Sequence, residues 1–132
     1  MDYIGEHSLF AFLGRASVAL AFSGSVATFI FYSLYYAGSK KEKNKHLSGL
    51  KSAGRLSFLL HSIGVIGTIS ILFVALFNHW FEFDYVWRHS SLEMPMKYIA
   101  SCFWEGQEGS FLLWTTWHML LGWVLILSLI HI

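Results

Sequence analysis

Ala16 to Tyr35 is a run of 20 residues without a single charged side chain. A helix needs about 20 apolar residues to cross a hydrocarbon core of ~30 Å, so this run predicts a membrane span. Two further stretches have the same character, Leu56–Phe77 and a third that opens at Gly109 or Ser110 and continues to about Leu129. The composition points the same way, with 55% apolar and 13% charged residues against about 25% charged in soluble domains. The expected fold is an all-α membrane protein with three transmembrane helices, at about 10–36, 56–77 and 109–130. A short interfacial helix or an extended segment is expected in the connection between the second and third.

The charge is localised. Net charge is only +1, so no global field argues for a nucleic-acid partner; the bilayer is the expected one. Lys40, Lys41, Lys43, Lys45, Lys51 and Arg55 crowd one connection, Gly38–Arg55. A short Lys-rich loop belongs on the cytoplasmic side. That places the N-terminus outside, loop 38–55 inside and loop 78–108 outside. No cleavable signal peptide is evident, because Asp2 and Glu6 stand where a basic patch would be. Cys102 is the single cysteine and cannot form an intrachain disulfide.

The first span has Arg15 near one membrane face, where it can snorkel to headgroups. Ser17, Ala21 and Ser25 form a small-residue face suited to close helix approach. Tyr32, Tyr35 and Tyr36 gather at the far end as an interfacial belt. In the second span Ser57, His61, Gly64 and Thr68 share one face, expected to pack on protein. Phe58, Ile66, Ile69 and Phe73 lie opposite, expected to meet lipid. His61 is expected to be held by an interhelical hydrogen bond.

In the outer connection, Phe81, Phe83, Tyr85 and Trp87 alternate with Glu82, Asp84, Val86 and Arg88, a period of two that suggests an extended segment. His89-Ser90-Ser91 reads as a turn. Pro95 favours a helix start, so Met96–Phe103 is expected to be a short interfacial helix. Glu105 and Glu108 precede the third span, where carboxylates favour a helix N-terminus; on one helical face they would form a proton-handling pair. Ser110 is placed to cap. His118 lies inside the third span, where packing, a hydrogen bond and function are all open.

Seven histidines raise the possibility of haem ligation. By exposure the candidates are His79 and His89, beside Trp80 and Trp87. No His-x-x-x-His pair and no Cys-x-x-Cys-His site occurs, so no metal site is expected. No Ser-His-Asp order, phosphate loop or nucleophile elbow is present, and no catalytic residue is assigned.

The stretch Trp-Glu-Gly-Gln-Glu-Gly-Ser-Phe-Leu-Leu-Trp, Trp104–Trp114, resembles the Trp-Gly-x-x-Glu-Gly-Ser-Leu-Leu-Leu-Trp motif of the cytochrome c maturation haem lyase family, F-type subunit. Trp104, Glu108, Gly109, Ser110 and Trp114 fit directly; Glu105 stands in place of the usual Gly and Gln107 where His is common. Ile4-Gly-Glu-His-Ser-Leu resembles the family's opening Leu-Gly-His-x-Ala-Leu. Phe83-Asp-Tyr-Val-Trp, Ser90-Ser91 and Pro95-x-x-Tyr98 fit its first external loop. The resemblance implies a multi-pass protein of the bacterial inner membrane. It implies haem b bound by the full-length protein and attached to apocytochrome c on the outer face. Its partners would be a haem chaperone and apocytochrome c-binding maturation proteins. The family is several times longer, with its Trp-rich loop and ligand histidines later in the chain. Residues 1–132 are therefore expected to be one N-terminal membrane domain of a longer polytopic protein, retaining no haem alone. The alternative is a non-catalytic structural subunit of a respiratory or haem-export membrane complex.

Overall fold

The computed structural model describes residues 7–40 and 46–130. It is an all-α membrane protein: three helices are long and apolar enough to span a bilayer, and no strand occurs among the described residues. The elements in order are α1 (Ser8–Ser39), α2 (His46–Phe77), α3 (Asp84–His89), α4 (Met96–Glu105) and α5 (Gln107–Ile130).

The structure divides into two compact units, residues 13–67 and residues 1–12 with 68–132. In the first, α1 and α2 meet through small residues. A Cβ on Gly24 would stand 2.6 Å from the backbone nitrogen of His61, and one on Gly67 2.6 Å from Ser17 Oγ. Gly64 lies against the backbone of Ala21 and Ser17. Ser17 and Ala21 are thus contact residues as expected, and the third is Gly24 rather than Ser25, whose hydroxyl donates to Phe22 O within its own helix. His61 Nδ1–H donates to Ala21 O at 2.7 Å, the expected interhelical bond. It supplies the acceptor that a polar ring needs away from water.

The Lys-rich connection is shorter than expected. α2 starts at His46, so Lys51 and Arg55 lie on helix, and only 41–45 falls outside the described residues. Leu47 packs on Gly38 and the Tyr32 ring covers Gly54. These contacts make helix worthwhile for a polar sequence. At ~1.5 Å per residue the 32-residue α2 is about 48 Å long, beyond the ~30 Å of hydrocarbon.

The second unit has a small core of Ala75, Leu76, Val86, Ile99, Cys102 and Phe103. Phe73 stacks on Phe103 with centroids 4.5 Å apart, and Ile69 packs on the same cluster. These two were expected to meet lipid; they face protein because the outer connection folds back onto the end of α2. The extended segment is also corrected. Residues 84–89 are helical, with Asp84 in the first turn and Arg88 and His89 in the last, as the helix dipole favours. Arg88 Nε bonds Asp84 Oδ1 at 3.0 Å, one turn away. Loop 78–108 therefore holds α3, all of α4 and the first residues of α5. The short helix expected after Pro95 is α4, which runs two residues further than Phe103, to Glu105.

Candidate functional site

The motif Trp104–Trp114 spans a break between two helices. α4 ends at Glu105, Gly106 is extended (φ −82°, ψ 161°), and α5 starts at Gln107. A helix end leaves its last four carbonyls without intrahelical partners, and here side chains supply them. The Tyr85 hydroxyl donates to Cys102 O (2.9 Å) and Phe103 O (2.8 Å). It accepts from Gly106 N–H at 3.3 Å. Ser110 Oγ donates to Trp104 O at 2.9 Å. The N-cap expected at Ser110 is corrected: its own N–H bonds Gly106 O at 3.1 Å, so Gly106 occupies the cap position.

Two glycines make this geometry possible. A Cβ at Gly109 would collide with Phe103 O and stand 2.5 Å from the Tyr85 hydroxyl. One at Gly106 would stand 2.6 Å from His89 Nε2. His89 stacks on Tyr85 with centroids 4.2 Å apart, and its Nδ1–H donates to Tyr85 O at 2.9 Å. Tyr85, one of four rings in the aromatic alternation, is thus the centre of the joint. Its signal in the sequence is the (i, i+4) pairing of Tyr85 with His89, beside that of Asp84 with Arg88, on one short helix.

The joint corrects the carboxylate pair. Gly106 interrupts the helix, so Glu105 and Glu108 belong to different elements, and both are exposed. Burial pushes the Tyr85 phenol up; the Gly106 N–H opposes this, and the charges of Glu108 and Glu105 reinforce it. Burial likewise raises the Cys102 thiol, with Glu105 adding to the rise. The neutral thiol donates to Tyr98 O at 3.2 Å and lies 3.3 Å from Met94 Sδ.

Of the motif residues, Gly109 and Ser110 build the joint. Trp104, Glu108 and Trp114 are exposed, Trp114 at 66%. Beside them Met94, Tyr98, Ser101, Trp104 and Glu105 line a groove of about 470 Å³.

Trp87 is exposed. Trp80 stacks on His7 at 3.8 Å and lies 4.8 Å from Phe10. The His7 backbone N–H and ring Nδ1 bond Glu82 Oε1 at 2.8 and 2.6 Å. For Glu82, burial acts upward, but these bonds outweigh it and the carboxyl sits below its usual range. His79 closes α2 with φ 54°, its N–H bonded to Leu76 O and that of Trp80 to Ala75 O. This is a Schellman turn with His in the position that favours glycine. Its buried Nδ1 has no hydrogen-bond partner among the described residues. His89 Nε2 lies against Gly106, and the unpartnered Nδ1 of His79 is buried. No three His, Cys, Asp or Glu side chains among the described residues converge to hold a metal ion.

No protein-family model, no curated protein and no solved structure matches the chain.

Proposed function

We propose that the chain is the N-terminal membrane domain of an F-type haem lyase of cytochrome c maturation. The observation that carries this reading is the undecapeptide Trp104–Trp114. Its chemistry is covalent attachment of haem vinyl groups to the thiols of apocytochrome c. No residue here is assigned to ligate the iron. The positive-inside rule orients the Lys-rich end of α1 and α2 to the cytoplasm and the α3–α4 connection to the outer face of a bacterial inner membrane. A haem chaperone and apocytochrome-binding proteins would dock on that face.

Two features support the reading. The glycines and Ser110 are consumed in building the joint, which leaves Trp104, Glu108 and Trp114 exposed for contact. The adjoining groove has aromatic walls, Tyr98 and Trp104, and a polar rim, Ser101 and Glu105. The aromatic surface suits stacking of a flat apolar ring. This domain's part is to shape and support the haem-handling surface.

The test is cytochrome c yield in cells that depend on the complete protein. Glu108→Ala is expected to lower the yield more than Phe111→Leu at equal protein level. Wild-type yield from Glu108→Ala leaves Glu108 as a helix-start carboxylate worth about 0.3–1 kcal/mol and removes its functional role.

A further inference from the structure

The charges of this chain are segregated. Residues 13–67, the first compact unit, carry seven of the chain's nine Lys and Arg but a single carboxylate, Glu42. Neither α1 nor α2 contains an Asp or Glu. Six of the seven cations crowd Gly38–Arg55, and three of them, Lys40, Lys51 and Arg55, belong to the described residues. Lys40 and Lys51 are exposed and Arg55 is half-buried. Among the described residues none of the three forms an ion pair, and the Arg55 guanidinium makes no hydrogen bond.

The depth of these cations follows from the helices that carry them. Arg55 and Phe77 stand twenty-two residues apart on α2, about 33 Å at ~1.5 Å per residue. That is close to the ~30 Å thickness of hydrocarbon. With the apolar run between them inside the core, Arg55 stands at its edge, where lipid headgroups begin. The contacts with α1 agree. Tyr32 covers Gly54, and Leu47 packs on Gly38. Between these two contacts lie Lys51 on α2 and Tyr35 and Tyr36 on α1, so the cations share a depth with the aromatic belt of the headgroup layer. Lys40 Nζ stands 4.8 Å from the centre of the Tyr36 ring and brings a third charge over that belt.

The pair on α2 lacks a counter-charge. Lys51 and Arg55 are one helical turn apart, with Cβ atoms about 5–6 Å from each other, and like charges so placed repel. No carboxylate on either helix offsets them. One anion between the two removes the repulsion and supplies the acceptor that a half-buried guanidinium needs. A phosphodiester fits, because its two free oxygens match the Arg fork while the Lys ammonium acts as a point charge on the same group. A zwitterionic lipid brings its own cation to the site, and an anionic lipid does not.

We infer that the end of α1 and α2 carrying Lys40, Lys51 and Arg55 retains an anionic phospholipid, its phosphate held between Arg55 and Lys51. Basic clusters beside a membrane span recognise lipid in this way. The inference rests on α1 and α2 spanning a membrane and is independent of the haem-lyase reading, so cytochrome c yield plays no part in its test.

The test is native mass spectrometry of the whole chain, released from detergent micelles that hold equal amounts of phosphatidylglycerol and phosphatidylcholine. Phosphatidylglycerol is expected to be retained about five- to thirtyfold over phosphatidylcholine, the range for one or two cations engaged at an anionic surface. Lys51→Gln combined with Arg55→Gln should remove most of that preference, with helix content unchanged by circular dichroism. Arg55→Lys should keep an intermediate preference. Lys41→Gln combined with Lys43→Gln removes the same charge from the connection and should lower the preference less than the α2 pair does. Equal retention of the two lipids by the unaltered chain overturns the proposal, as does a loss no greater for the α2 pair than for the connection pair. Inorganic phosphate that binds alone and blocks phosphatidylglycerol overturns it in favour of a soluble phosphate ligand. A short RNA retained more tightly than phosphatidylglycerol, and lost with the α2 pair, overturns it in favour of a nucleic acid.

Discussion

At Gly109 a methyl group would run into Phe103 O and the Tyr85 hydroxyl, and neither can retreat while the joint between α4 and α5 stays capped. Gly109→Ala is expected to destabilise by about 1–3 kcal/mol, the usual cost of overpacking. Gly49 is the internal control, because a Cβ there would meet nothing within 4 Å. Gly49→Ala should be neutral or stabilising by up to about 1 kcal/mol, from helix propensity alone. Melting both variants in detergent by circular dichroism checks the contrast. Tyr85→Phe would strip the donor from Cys102 O and Phe103 O and the acceptor from Gly106 N–H; a loss of about 1–3 kcal/mol follows for buried groups left unpaired. His79→Gly should raise stability by about 0.5–1 kcal/mol, because glycine adopts positive φ without steric cost. The His7–Glu82 bond carries a pH signature. The Glu82 carboxyl is lowered in the folded state, so its contribution is complete above the unfolded value of 4.5 and fades as pH falls through the lower folded value. Trp80 stacks on His7, so its fluorescence should change over that acidic window, and Glu82→Gln should remove the change.

The long helices are legible in the sequence because hydrocarbon imposes length and apolarity on any span. α4 is legible from Pro95, which cannot sit inside a helix but starts one readily. His61 is legible as a hydrogen-bonded residue, and its partner, Ala21 O, is a backbone atom that no sequence pattern names. α3 is concealed because alternating aromatic and charged residues mimic a strand over eight positions. The (i, i+4) pairs Asp84–Arg88 and Tyr85–His89 carry the opposite signal. The lipid assignment of Ile69 and Phe73 fails for a different reason: a span's faces are set by what folds over them, here Phe103, which is thirty positions away in sequence. Among the helices, Gly64→Leu is expected to separate α1 from α2. The backbones of Ala21 and Ser17 leave no room for it, and the His61–Ala21 bond should be lost with it. Disulfide trapping of cysteines introduced into α1 and α2 would report the separation as a lower crosslinking yield.

For the whole molecule, the candidate site is legible in part. The undecapeptide marks the right stretch, and the exposed positions of Trp104, Glu108 and Trp114 keep them available for contact. Hidden from the sequence is that Gly106, Gly109 and Ser110 serve a helix joint organised by Tyr85, a residue from another element. In the proposed function this joint supports cytochrome c maturation from the outer face of the membrane. That role is open to direct measurement as covalent c-type haem, read by haem-stained gel, in cells whose complete protein carries Gly109→Val or the exposed control Gly49→Val. At matched membrane levels of the two variants, Gly109→Val is expected to lose most of the cytochrome c and Gly49→Val to keep it. Full cytochrome c from Gly109→Val would show that maturation does not depend on the joint.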